Sequence, residues 1–175
     1  WLLTAEMIEL VQVIPGKEYG VMHRQNRSEN EVVVVVKPWS DEKKPVLKEQ
    51  YRKAIEDYIE PYRLINTKVT VESARYAGIC VHGKIALDQD SPKTRKAVLE
   101  RISRELSYTE RKHPFGTVIS YGQLFTALEN TEGVKKVLEL NLERTGNAAR
   151  KNDRGDVLLD ADALGILEET DLEFC

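Results

Sequence analysis

The stretch EVVVVVK, residues 31–37, places five consecutive valines between two charged residues. β-Branched side chains crowd the turns of a helix and fit a pleated strand. Apolar side chains at every position imply burial of both faces, so this stretch is predicted to be a central strand. Pro38 is expected to end it, because proline has no backbone N–H to donate to a neighbouring strand.

Two longer helices are predicted outward from this strand. Apolar residues recur at spacings of three and four over residues 46–60, which is typical of one helix face. The pair Ser91-Pro92 has the N-cap and first-turn residues of a second helix. Ser120 and Gln123 have the spacing of a capping box before a short helix, and Thr4 is a candidate N-cap for another over residues 3–10.

Alternating apolar residues predict the remaining strands. They fall at residues 69–71, 76–88, 134–143, 157–159 and 172–174. In the strand at 134–143, the leucines at 138, 140 and 142 are expected on one face and polar residues on the other.

This element order predicts the α+β class. Its first part follows the order of a ferredoxin-like β-α-β-β-α-β module, followed by a small helix and a β tail. The predicted domains are an N-terminal connecting segment (1–30), an α+β module (31–110) and a smaller α+β C-terminal module (111–175).

Composition places the chain among soluble globular proteins. It has 175 residues, 41% of them hydrophobic, and a formal net charge of −3, which gives no indication of nucleic acid or an anionic membrane as partner. No apolar run approaches the roughly 18 residues that a membrane-spanning helix needs. The chain begins at Trp1, without an initiator methionine, so it is expected to be a fragment or a processed product.

Cys80 and His82 are the first candidates for chemistry. They lie two apart in a predicted strand, so their side chains share a face and could form a thiolate–imidazole pair or half a metal site. His23 and His113 lie on unrelated segments. The alternative, a buried or half-buried cysteine beside a surface histidine, is favoured.

An acidic loop and scattered basic residues offer two further possibilities. Oxygen-rich loops bind calcium, but the glycine and glutamate of an EF-hand are absent here, and surface acids in a turn are favoured. The acidic residues are Asp153, Asp156, Asp160 and Asp162. Basic residues could contact phosphates, although they alternate with acids and lack aromatic stacking partners. They are Arg111, Lys112, Arg144, Arg150, Lys151 and Arg154.

Tyrosines and two polar loops are candidates for partner contacts. Tyr51, Tyr58 and Tyr62 could form an interaction stripe, but at helical spacing they are interpreted as core and rim residues. Residues 24–30 and 145–154 are predicted loops, and the second is the clearest flexible one because it has few large apolar side chains. Both are hypothesised to become ordered on assembly and to be cut by protease in the isolated chain.

Several strings, in this order, resemble the baseplate J-like family of contractile tails. They are EVVVVVKPWS (31–40), PVL (45–47), EPYRLINTKV (60–69), SARYAGI (73–79), PFGTVISYG (114–122), GVKKV (133–137) and GDV (155–157). The opening LTAE (3–6) is also similar. The resemblance implies the C-terminal part of a longer structural subunit that binds neighbouring baseplate proteins, located in a virion tail baseplate after synthesis in the bacterial cytoplasm.

The leading hypothesis is therefore a structural subunit of a baseplate in a contractile phage tail or related injection machine, assembling wedge or ring by protein–protein contacts. It is not expected to be an enzyme, and no catalytic, cofactor-binding or metal-binding residue is assigned. No nucleic acid, membrane or small-molecule substrate is expected, while self-association within the baseplate is possible. The alternatives are a small ferredoxin-like module that binds a ligand or nucleic acid, and a cysteine or metal enzyme that uses Cys80 and His82.

Overall fold

A computed structural model describes residues 8–108 and 114–175. The chain divides into two compact units, Trp1–Arg75 (unit 1) and Tyr76–Cys175 (unit 2), which are described separately. The predicted domain limits at 30/31 and 110/111 differ from this division, and they stay predictions about independently folding parts. The α+β class is confirmed, because helices and three separate three-stranded sheets alternate along the described ranges.

Unit 1 is a three-stranded sheet with helices. Its elements are β1 (Ile8–Pro15), α1 (Gly16–His23), β2 (Glu31–Pro38), α2 (Glu49–Ile59), a 3₁₀ turn (Glu60–Tyr62) and β3 (Lys68–Ser73). The sheet order is β1-β2-β3, with β1 antiparallel and β3 parallel to β2. The valine stretch is thus the central strand, as predicted. The helix predicted over residues 3–10 is wrong from Ile8 onward, where β-branched residues pair with β2, and Thr4 lies outside the described residues.

Helix α2 belongs to the crossover connection between the parallel strands β2 and β3, which cannot be joined by a tight turn. It covers one sheet face through Ile55 and Ile59, which pack partly buried against the cluster around Val34, Val36 and Val71. No residue of α2 itself is fully buried. The helix predicted over residues 46–60 is therefore present, but its contact with the sheet is narrow.

Unit 2 contains two small sheets and two helices. Its elements are β4 (Arg75–Leu87, which begins at the boundary), α3 (Pro92–Leu106), β5 (Val118–Ile119), α4 (Tyr121–Glu129), β6 (Val134–Thr145), β7 (Ala149–Lys151), β8 (Val157–Leu159) and β9 (Ala163–Phe174). The sheet orders are β6-β4-β9 and β5-β8-β7. As predicted, Ser91 and Ser120 cap α3 and α4, each accepting a hydrogen bond from a backbone N–H three residues on.

The core of unit 2 lies between β4, β6 and the two helices. Ile79, Val81 and Ile85 of β4 are fully buried with Ile102 of α3 and Leu128 of α4. Alternate residues of a strand point to opposite faces, so Cys80, His82 and Lys84 share the other face of this sheet. That outer face carries the first candidate site.

The single sheet of a ferredoxin-like module is not observed. Strands β2 and β3 lie in one sheet, and β4 and β6 lie in another. Only Ala74 separates β3 from β4, whereas the commonest hairpins need two residues in the connecting turn. The chain therefore leaves one sheet and enters the next at Ala74, which is buried and donates its backbone N–H to Val36.

Two further predictions are corrected in unit 2. The pairing of β6 with β4 shifts between Lys84 and Ile85, so Val137 and Leu142 are buried while Leu138 is exposed. A bulge of this kind reverses the alternation, and the three leucines do not share one face. The predicted flexible loop at residues 145–154 contains strand β7, and Ala148 and Ala149 are buried. The loop was predicted to be flexible because it lacks large apolar side chains, but here the small alanine side chains are the buried ones.

Candidate interaction surfaces

Cys80 and His82 share the outer face of the β6-β4-β9 sheet. Burial raises the pKa of the Cys80 thiol, and the charges of Glu169, Glu168 and Glu143 raise it further. The His82 Nδ1 atom lies 3.9 Å from the Asp171 carboxylate. A reactive cysteine needs an electropositive setting that lowers its pKa. The surroundings of Cys80 do the opposite, and they favour the interpretation as a buried structural cysteine.

The same outer face is rich in acids. In the register of β4 with β6, Cys80 and Lys84 stand opposite Glu143 and Glu139. Lys84 donates a hydrogen bond of 2.7 Å to Glu173 of β9, and this bond raises the pKa of the lysine. The carboxylates outnumber the cations here, so the face repels phosphate groups. An RNA-binding sheet stacks bases on exposed aromatic side chains of its central strands. The β4 segment has one such side chain in its sequence, Tyr76.

In the acidic loop, Asp156 is hydrogen-bonded to the first residue of helix α4. Asp156 accepts hydrogen bonds from the side chain of Asn152 at 3.0 Å and from the backbone N–H of Tyr121 at 2.9 Å. These bonds, with the nearby charge of Arg154, lower the pKa of Asp156. Asp162, six residues further along, is fully buried. Within residues 8–108 and 114–175, no group of three or more potential ligands could hold a metal ion.

Two of the predicted basic residues, Lys151 and Arg144, make hydrogen bonds within the chain. Lys151 donates to the Asn141 side chain at 2.7 Å, and Arg144 donates to the carbonyl of Gly146. Arg111 and Lys112 lie outside the described residues. The described basic residues thus include two that are already bonded to the chain's own polar groups.

A shallow groove between α3 and α4 is partly lined by polar residues that are already engaged with one another or with the backbone. Its polar lining includes Arg101 and Glu105, which form a salt bridge of 3.0 Å on α3. Ser120, also in the lining, uses its hydroxyl to cap α4 by accepting from Gln123. No helix in the described ranges is long and apolar enough to cross a membrane.

The three tyrosines of the α2 region are at the surface of unit 1. Tyr51, Tyr58 and Tyr62 are 39%, 47% and 67% exposed, and the rings of the last two lie 5.9 Å apart. Leu64 and Ile65, beyond the 3₁₀ turn that ends at Tyr62, are 77% and 91% exposed. The interpretation of the tyrosines as core and rim residues is therefore wrong as regards the core. We call these five residues the α2 patch.

The loop at residues 24–30 has an anchor that the sequence did not indicate. Arg27 donates to Glu31 at 2.9 Å, to Thr70 at 2.8 Å and to Glu72 at 3.1 Å, and its guanidinium lies 4.8 Å from the centre of the Tyr19 ring. The side chains of Arg27 and Glu31 are largely buried. The segment is a loop, as predicted, but Arg27 ties it to two strands of the sheet.

The described residues thus define a two-unit α+β chain with exposed apolar side chains on and just after α2 and with acidic side chains on one face of the β6-β4-β9 sheet. No protein-family model matches the sequence, and no curated protein sequence matches it. Among solved structures, the fold is similar to a chain in a cryo-electron microscopy structure of the anti-feeding prophage (AFP) baseplate, symmetrised six-fold. The TM-score is 0.58 at 14% sequence identity, and the match covers 81% of this chain and 29% of that chain.

Proposed function

We propose that this chain is part of a structural subunit of a baseplate, in a contractile phage tail or a related injection machine. The similarity in fold to the anti-feeding prophage baseplate chain, over 81% of the chain, carries this proposal. The ordered strings that resemble the baseplate J-like family support it independently. In this role the chain contributes to wedge or ring assembly by contacts with other baseplate proteins, and its location is the tail baseplate.

The surfaces of the two units support a role in protein contacts. Clustered exposed apolar residues commonly mark interaction sites, and within the α2 patch the exposed rings of Tyr58 and Tyr62 lie 5.9 Å apart. The Cys80 thiol beside His82 has a raised pKa, which opposes nucleophilic catalysis. We accordingly propose a function without catalysis, cofactor or metal. The acidic outer face of unit 2 disfavours the alternative of a nucleic-acid-binding module.

The test is to locate the chain in assembled particles. An epitope inserted after Gly146 would occupy an open turn, because no atom lies within 4 Å of a Cβ placed there. The tagged chain is produced in the bacterium that encodes it, and tail particles are separated from soluble protein on a density gradient. We expect the epitope to migrate with the particles and an antibody to label the baseplate end of the tail.

The matched control is the same epitope on an unrelated soluble protein of similar size, which should stay at the top of the gradient. Particles that assemble and contract normally in a strain lacking the gene would contradict the proposal. So would a chain found only in the soluble fraction while tails assemble. A change in anisotropy of a labelled oligonucleotide at low salt, lost at high salt, would favour the nucleic-acid alternative.

A further inference from the structure

Strand β3 lies at one edge of the sheet β1-β2-β3, so in the described sheet only one side of its backbone pairs with a strand. Lys68 at the start of β3 and Ala74 directly after it both donate their backbone N–H groups toward the β2 side. Successive N–H groups of a strand alternate between its two sides. Val71, an odd-numbered residue between them, therefore directs its N–H to the outer edge. An edge of this kind can pair with a strand of another molecule.

The side chain of Glu56, on helix α2, occupies this outer edge. Its Oε1 atom accepts a hydrogen bond of 3.1 Å from the backbone N–H of Val71. A carboxylate thus takes the position that a carbonyl oxygen of an added strand would need. Further along the edge, the Ser73 hydroxyl accepts from the backbone N–H of Leu47, ahead of α2, at 3.0 Å. Val71 is fully buried, so its N–H would be costly to leave without an acceptor.

The partner of Glu56 differs from those of the acids one turn before and after it. Glu49 and Glu60 form ion pairs with the arginines three residues further along their own segment. Glu56 instead reaches the sheet. Its sequence neighbour Ile55, together with Ile59, packs partly buried on the sheet face around Val71. Helix α2 therefore covers the face of β3 with apolar side chains and the edge of β3 with a carboxylate.

We propose that α2 is an edge cover, which closes the β3 edge through Glu56 against the addition of a strand from another molecule. Proteins commonly protect sheet edges by covering them with a helix or with charged side chains. The β3 sequence KVTVES (68–73) has alternating β-branched residues, which favour strand pairing if the edge is open. This inference goes beyond the proposed function and does not depend on it.

Two substitutions at Glu56 separate the hydrogen-bond acceptor from the charge. Glu56→Gln keeps an acceptor oxygen at the same position along the side chain and removes the charge, whereas Glu56→Ala removes both. Alanine has the highest helix propensity, so Glu56→Ala does not weaken α2 by propensity. Amide hydrogen exchange is followed by nuclear magnetic resonance of the isotope-labelled chain. We expect the Val71 amide to exchange at least about tenfold faster in Glu56→Ala than in the wild type, and in Glu56→Gln to remain closer to the wild type.

The same variants test whether the closed edge prevents strand pairing. In sedimentation velocity over a concentration series, we expect Glu56→Ala to associate more than the wild type, with a larger strand signal in circular dichroism. Glu56→Gln should associate no more than the wild type. Asp57→Ala, which removes an exposed acid of the same helix, should also leave association unchanged. Arg27→Ala controls for lost stability, because it breaks a buried ion pair of unit 1 and leaves the Val71 hydrogen bond in place.

Several results would overturn the proposal. One is a Val71 amide as protected in Glu56→Ala as in the wild type, and another is a folded Glu56→Ala that associates no more than the wild type. Equal association of Arg27→Ala and Glu56→Ala would mean that lost stability alone is responsible. A Glu56→Gln variant that matches Glu56→Ala in both measurements would show that the acceptor does not matter. If Glu56→Ala fails to fold, Glu56→Asp, whose carboxylate is one carbon shorter, replaces it in both measurements.

Discussion

Helices α2 and α3 are both amphipathic and use their apolar residues in different ways. On α3, Val98, Ile102 and Leu106 are buried in the core of unit 2. On α2 no residue is fully buried, and tyrosines face solvent. A helix gains most of its stability from the apolar face that it buries. The comparison indicates that α3 stabilises its own unit through a buried face, while α2 leaves part of its apolar surface exposed.

The largest effect is expected from the buried face of α3. Ile102→Ala removes three carbon atoms from a fully buried site and should lower the free energy of unfolding of unit 2 by about 3 kcal/mol. Leu99→Ala, on the exposed side of the same helix, should lower it by less than about 1 kcal/mol. Urea denaturation followed by circular dichroism measures both. Equal losses of unfolding free energy in the two variants would contradict the burial of the Ile102 side chain in the core of unit 2.

A comparable effect is expected in unit 1 from Arg27, whose charge is largely buried. Arg27→Ala leaves Glu31 without its closest cation, and breaking such a pair should cost about 3 kcal/mol. Lys17→Ala is the control, because it breaks an exposed pair with Glu29 and should cost less than about 1 kcal/mol. Tryptophan fluorescence in urea measures both variants, and Trp39 of unit 1 contributes to the signal.

The effect of Arg27→Ala should depend on pH. Burial raises the pKa of Glu31, but the hydrogen bond from Lys68 and the charge of Arg27 outweigh it and hold the pKa below its ordinary value of 4.5. A lowered folded-state pKa stabilises the protein above pH 4.5, and this stabilisation is lost as the pH falls through the folded-state value. The variant and the wild type should therefore approach each other in stability below pH 4.5. A constant difference across this range would show that the charge of Glu31 is not involved.

A smaller effect is expected where β6 begins beside α3. Gly133 has φ of +85°, and an added Cβ would lie 2.7 Å from the Thr94 side chain, so Gly133→Ala should cost about 2 kcal/mol. Gly146 has φ of +78° with open space around it, so Gly146→Ala should cost only about 1 kcal/mol for the backbone. Urea denaturation of both variants separates the contact with α3 from backbone strain. Equal losses of stability in the two variants would show that the contact of Gly133 with Thr94 adds nothing to the cost of the backbone strain.

Much of the fold could be predicted from local patterns. The valine run of β2, the spacing in α2 and α3, and the caps at Ser91 and Ser120 were predicted because each pattern reflects nearby residues. The assignment of strands to sheets could not be predicted, since it depends on pairing between distant segments. The predicted strands at 69–71 and 76–88 had four residues between them, enough for a hairpin, and only the structure shows that Ala74 alone separates β3 from β4. The bulge at Leu138 left no such signal, because it depends on the register with β4.

The candidate surface was only half predictable. The spacing of Tyr51 and Tyr58 indicated a shared helix side, but it could not tell whether another element covers that side. Ile55 and Ile59 lie on the adjoining side of the helix, and in the structure it is these two residues that pack against the sheet. The buried network of Arg27 was missed because its partners, Thr70 and Glu72, lie more than forty residues away.

The smallest effect on the isolated chain is expected from the exposed side of α2. Tyr58→Ala removes a ring that is 47% exposed, so it should change the stability of unit 1 by less than about 1 kcal/mol in dilute solution. Urea denaturation of Tyr58→Ala beside Leu99→Ala and Ile102→Ala measures the difference. A loss for Tyr58→Ala as large as that for Ile102→Ala in dilute solution would mean that the ring supports its own unit, and the contrast between α2 and α3 would fail.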